Sequence, residues 1–202
     1  MILLHSNAQN IFWLGRYLAR IEYLCRHFPF KDHQLAQQYA RGFVLDAEDA
    51  DGLNTILLDS QQYCSFQQLF SCAKNNIHDL RGVLSAGSFA ELNQLFYQAE
   101  HQAVYICDIA ADCNAVLEAE ESTDLFLFFS LGQQLEHLDR QIRLQQRHDQ
   151  TLHDIDGLLL LLANFGWKTL AEDWALLQQN PDSTHFSHFS DCVQRFFDLD
   201  RL

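Results

Sequence analysis

Helix breakers are scarce in this chain of 202 residues, which carries two prolines and eight glycines. Proline removes a helical hydrogen bond and glycine costs backbone entropy, so a chain poor in both favours long helices over many strands and turns. Positive charge is also scarce, with 13 Lys+Arg against 27 Asp+Glu and a formal net charge of −14. A field of that sign repels phosphate backbones and anionic lipid, which argues against nucleic acid and membrane surfaces as partners. It suits solubility, and a basic surface or cationic substrate is compatible with it. No two of Cys25, Cys64, Cys72, Cys107, Cys113 and Cys192 are spaced C-x-x-C, so a zinc ribbon or thioredoxin-type site finds no support. The longest apolar run, Leu158 to Ala163, falls far short of the roughly 20 residues that span a bilayer. Met1-Ile2-Leu3-Leu4-His5 has neither the basic nor the apolar region of a secretory signal. The expectation is a cytoplasmic protein whose cysteines are reduced, buried and inert.

Catalytic signatures are missing too. There is no Gly-rich phosphate loop, no G-x-S-x-G elbow and no pair of Glu-x-x-His motifs for a di-iron bundle. No cofactor, metal or catalytic residue is therefore expected. His148, His153, Asp154 and Asp156 cluster near a helix start and read as a solvated cap rather than as ligands. Cys64 and Cys72 have no histidine beside them in sequence that would make either a nucleophile.

What the chain does have is apolar material: 48% hydrophobic residues and sixteen phenylalanines, enough for one core and a single domain over 1–202. Helical periodicity dominates. A first helix is expected over 7–28, capped by Ser6 or Asn7 and stopped by Pro29, with Ile11, Leu14, Leu18, Ile21, Cys25 and Phe28 on one stripe. A shorter helix covers 32–41. An acidic loop over 46–51 leads to a short helix over 52–58. A long helix follows over 60–84, capped by Asp59 or Ser60. Ser88 with Glu91 reads as a capping box opening a helix to about 117. A further helix covers 124–147, with Leu125–Phe129 as core, and shorter ones cover 152–164, 168–178 and 186–198, punctuated by Gly166 and Pro181. The fold class is all-α, an antiparallel helical bundle with an internal helix repeat at about 11–28 and 128–145.

That repeat is the most specific feature. Trp13–Arg26 lies over Ser130–Arg143 without a gap, matching Leu14 with Leu131, Gly15 with Gly132, Leu18 with Leu135, Glu22 with Asp139 and Arg26 with Arg143. At about 100° per residue, glycine, acid and arginine share a narrow stripe on each copy. Arg16 and Arg20 point elsewhere, and Gln133 and His137 replace them in the second copy. Each acid and arginine can pair at i,i+4 on its own helix, with the glycine admitting a second helix. Alternatively, antiparallel copies exchange partners, Glu22 with Arg143 and Asp139 with Arg26, in a partly buried square. A third reading makes the stripe a polar pocket for a carboxylate or phosphate.

These residues resemble the alpha-E family, a bacterial helical domain of unknown function, of which this chain looks like a short and divergent member. Asn10 to Glu22 is similar to the family's tryptophan-leucine-glycine-arginine-tyrosine opening. Asp59 and Ser65 resemble the segment before its middle helix. Ala73 to Arg81 with Leu84-Ser85 resembles the middle motif, and Gly132 to Arg143 the last one. Lys74, Asn75 and His78 stand where the middle motif is usually richer in arginine and glutamate, and Gln133 and His137 where arginines are usual. The resemblance implies a setting alongside ATP-grasp-type ligases, transglutaminase-like proteins and peptidases, hence a role in forming or modifying peptide or amide bonds. The reading that follows is a non-catalytic interaction module docking on an ATP-grasp-type ligase or its peptide substrate. Its candidate anion pocket is Glu22, Arg26, Arg81, Asp139 and Arg143, with Arg16, Arg20 and Asn76 secondary. The alternative is an enzyme or enzyme subunit acting on amide or peptide substrates. Glu22 or Asp139 would then be the base, and the arginines would hold an anionic group. Nothing in the sequence fixes an oligomeric state.

Overall fold

The structure is a computed structural model that describes residues 3–101, 106–120, 122–167 and 170–198. Among the described residues there are ten helices and no strands: α1 (His5–His27), α2 (His33–Gly42), α3 (Ala50–Leu58), α4 (Phe66–Asp79), α5 (Ala86–His101), α6 (Ile106–Glu118), α7 (Thr123–Arg143), α8 (Asp149–Asn164), α9 (Ala171–Gln179) and α10 (Ser183–Phe197). Helices packing on helices make this an all-α bundle, as composition and periodicity require. The chain divides into two compact units, Met1–Arg16 with Glu120–Leu202 and Tyr17–Ala119, so α1 gives its first half to one and its second half to the other.

Several helix ends differ from the sequence expectation, each for a local hydrogen-bonding reason. Helix α1 begins earlier, leaving Ser6 and Asn7 inside its first turn rather than capping it. Asp32 caps α2 by accepting from the amides of Gln34 and Leu35. Asp49 caps α3 by accepting from Gly52, which draws Ala50 and Asp51 out of the expected loop. The 60–84 segment is helical only as α4, because Ser65 accepts from the Gln68 amide at 3.3 Å while Asp59 is spent on the Gln61 amide in a turn. At the start of α5 the cap is Ser85, whose hydroxyl accepts from the Ser88 amide at 3.1 Å; Ser88 is thus one turn in and makes no capping box with Glu91. Residues 102–105, which the expected helix to 117 crosses, lie outside the described residues, as do 168 and 169 at the expected start of the next-to-last helix. Helix α7 ends at Arg143 rather than 147. Gln145 turns left-handed (φ 54°) and the Gln146 amide reaches back to the Gln141 carbonyl, a closing loop that satisfies the orphan carbonyls. Gly166 (φ 99°) does the same for α8, with the Trp167 amide on the Leu162 carbonyl.

In the first unit α7 packs on α8 and α10, and α9 packs on α10. Phe12, Phe128, Trp167, Phe196 and Phe197 form an aromatic cluster there, with ring centroids 4.8–5.8 Å apart, mostly edge to face. Leu125, Leu127, Phe128 and Phe129 are buried as expected; Phe126 faces solvent. In the second unit α2 packs on α3, and α5 sits between α4 and α6. The Asn54 side chain clamps the extended segment after α1, accepting from the Phe30 amide at 2.8 Å and donating to its carbonyl at 2.9 Å.

The centre of the first unit is the crossing of α1 and α7 at the matched glycines. A methyl on Gly15 would run into the carbonyl oxygen of Phe129, and one on Gly132 into that of Phe12. The same methyls would stand 3.2 Å from the backbone nitrogens of Gln133 and Arg16 respectively. Each glycine thus faces the residue three before the other glycine and the residue one after it. The repeat is a reciprocal backbone-to-backbone contact. We expect Gly15→Ala or Gly132→Ala to destabilise the protein by about 2–3 kcal/mol in urea unfolding, because backbone cannot yield as a side chain can. Gly157→Ala, on the open face of α8 where nothing lies within 4 Å, should instead gain about 0.5–1 kcal/mol.

Candidate functional site

Beside the crossing, α7 presents Gly132, Glu136, Asp139 and Arg143 along one stripe at intervals of four, three and four residues. Arg16 meets this stripe. Its Nε and Nη2 each lie 3.0 Å from Oε2 of Glu136, and Nη2 lies 3.4 Å from Oδ2 of Asp139. Arg143 Nε donates to Oδ1 of Asp139 at 2.5 Å. Two arginines and two carboxylates therefore neutralise one another. Three of the four are buried: Arg16 is 6% exposed, Glu136 2% and Asp139 5%. The Arg16 guanidinium also lies 5.2 Å from the Trp13 ring and 5.9 Å from Phe186, aromatic faces that favour a cation removed from water.

This corrects the expectation that Arg16 points away from the glycine, acid and arginine stripe. Its position is about 100° off the glycine stripe, yet it is buried at the heart of the cluster, because it is the residue that follows the contact glycine. Glu136 went unseen in the sequence because the repeat comparison sets it against Ala19; its place on the Gly132–Asp139–Arg143 stripe was the signal available.

The counterpart pair lies in the second unit. Arg26 donates through Nη2 to Oε1 of Glu22, and the amide of the buried Asn114 on α6 donates to Oε2 at 3.4 Å. Both acids of the repeat thus pair with the arginine four residues on in their own helix. The settings differ, since the Arg26 side chain is 72% exposed and that of Arg143 33%. Arg20 packs its guanidinium 5.8 Å from the Phe43 ring. Arg81, in the turn after α4, is exposed and lies 6.0 Å from the Phe89 ring. Asn76 is turned back on its own helix, donating to the Cys72 carbonyl at 3.1 Å. No hydrogen bond or ion pair between described residues joins Arg81 or Asn76 to Glu22.

The cysteines are all free; Cys64 and Cys113 are buried, Cys25, Cys72 and Cys192 half-buried, and Cys107 exposed, against the expectation that all are buried. Burial pushes the Cys25 and Cys64 thiols up from their ordinary value and that of Cys113 up to about 12. These groups are protonated at neutral pH, the wrong state for a nucleophile.

The described chain matches one family model over residues 3–173, that of Alpha-E, a predicted alpha-helical domain with a conserved ER motif. The chain belongs to the Alpha-E family. No curated protein and no solved structure is matched. In this Alpha-E chain no glutamate is followed directly by arginine; the acids and arginines of its repeat stand four residues apart. No helix among the described residues is long and apolar enough to cross a membrane.

Arg16→Leu should cost about 3–5 kcal/mol in urea unfolding, since it removes the buried cation that Glu136 and Asp139 share. Arg26→Ala, at an exposed pair, should cost no more than about 0.5 kcal/mol. Cys113 has its folded pKa raised, so its contribution to stability is complete below an unfolded pKa near 9.0 and is lost as pH rises towards about 12. The melting temperature of the wild type should fall more steeply between these values than that of Cys113→Ala.

Proposed function

We infer that this Alpha-E chain is a non-catalytic interaction module whose partner is an ATP-grasp-type ligase or that ligase's peptide substrate. The observation that carries the reading is the occupancy of the two repeat acids. Both oxygens of Glu22 accept from Arg26 and Asn114, and both oxygens of Asp139 accept from Arg143 and Arg16. A general base needs a lone pair turned towards substrate. Each oxygen of these carboxylates is instead engaged with Arg26, Asn114, Arg143 or Arg16. A guanidinium fixed from behind by its own helix, with its other face towards solvent as at Arg26, is organised to receive a carboxylate from a partner. The likeness to proteins found beside ATP-grasp-type ligases supplies the class of partner, and a cytoplasmic setting goes with it.

The test is a pull-down of the tagged full chain from its native cells, read by mass spectrometry, with Arg26→Ala/Arg143→Ala in parallel after its fold is checked by circular dichroism. The expected result is an ATP-grasp-type ligase that the wild type retains and the variant loses. Recovery of no ligase, or equal recovery by the variant, contradicts the reading.

A further inference from the structure

Helices α9 and α10 form a hairpin in the first unit, joined by three residues, Asn180, Pro181 and Asp182. On α10, His188 and Cys192 are four residues apart and so share a face. That face looks onto the first turn of α9, where Asp173 stands. Nε2 of His188 lies 3.1 Å from Oδ1 of Asp173 and 3.8 Å from Sγ of Cys192, and the three atoms all fall within 4.8 Å of one another. The geometry does not suit a thiol–imidazole–carboxylate relay. In a relay the carboxylate holds one ring nitrogen and the thiol the other; here both approach Nε2, and the atoms converge on one point.

We propose that Asp173, His188 and Cys192 form a three-ligand site for a borderline divalent transition metal, with zinc the preferred ion. Oxygen, nitrogen and sulfur together are a zinc-type donor set, and hard cations such as magnesium or calcium do not take thiolate. Zinc bonds of about 2.0–2.1 Å to nitrogen or oxygen and about 2.3 Å to sulfur place tetrahedral donors roughly 3.3–3.6 Å apart. The 3.1 and 3.8 Å separations bracket that spacing, so only side-chain adjustment is needed. The His188 side chain is 49% exposed and that of Asp173 31%, which leaves the fourth position open to water or to a donor from outside. Arg195, an exposed residue one turn from Cys192, donates through Nη2 to Cys192 Sγ at 3.1 Å and favours the ligating thiolate. Burial raises the Cys192 thiol, so at neutral pH the incoming ion displaces the thiol proton to solvent. The imidazole keeps its proton on Nδ1. The ion, one carboxylate and one thiolate then sum to zero charge. His188 and Cys192 lie beyond residue 173, where the family match ends.

Cobalt(II) tests this directly, because thiolate-bound cobalt shows a charge-transfer absorption in the near ultraviolet. The reduced, metal-free full chain should bind one equivalent with that absorption, and zinc should displace it. Cys192→Ser should abolish the band. Asp173→Asn and His188→Gln should each weaken binding by roughly tenfold or more, since even groups behind metal ligands are worth that much. Zinc should raise the melting temperature of the wild type by more than that of any of the three variants. Absence of the band, or a band that Cys192→Ser retains through the other five cysteines, overturns the proposal.

Discussion

The buried charge cluster of the first unit depends on two helix backbones touching at Gly15 and Gly132. Ordinary helices keep their axes apart by the thickness of their side chains. Here a carbonyl of each helix, Phe12 or Phe129, occupies the space a methyl would take on the other. That contact fixes how far α1 and α7 can slide or roll against each other. It brings Arg16, the next residue along α1, within reach of acids one and two turns beyond Gly132. A buried arginine is costly unless its charge is met. The close approach therefore demands Glu136 and Asp139, and these in turn fix Arg16 against Trp13 and Phe186.

The two copies of the repeat do different work around this contact. In the second copy the acid is buried and serves two arginines. In the first, Glu22 is more exposed, serves Arg26 and Asn114, and belongs to the other compact unit. One sequence pattern is thus used as a locked cluster in one copy and a solvent-facing pair in the other. The locked cluster suits architecture, and the solvent-facing pair suits recognition. The proposed role as an interaction module draws on the solvent-facing pair, an arginine held ready at the surface of its own unit.

The helical class, the repeat and the matched glycines were legible in the sequence because periodicity and self-similarity are local records. Gly166 and the Pro29 stop were legible for the same reason. What was hidden depended on other segments. Ser65 rather than Ser60 caps α4 because the neighbouring Asp59 is drawn into a turn. Arg16 reads as an outward residue on any helical wheel, and only the crossing with α7 and the approach of Phe186 from α10 bury it. Glu136 carries no counterpart in the first copy, so a comparison built on matches passes over it. Asp173, His188 and Cys192 are spread over two helices, and no spacing rule joins the first to the other two.

The glycine contact positions the buried arginine. A double-mutant cycle between Gly15→Ala and Arg16→Leu, measured by urea unfolding, reads this dependence. If the contact sets the cluster, Gly15→Ala already separates the helices, and removing Arg16 from that background costs less than removing it from the wild type. The account predicts a coupling of about 1–3 kcal/mol. Costs that add to within about 0.5 kcal/mol would contradict it, and would show that the crossing and the charge cluster stand independently.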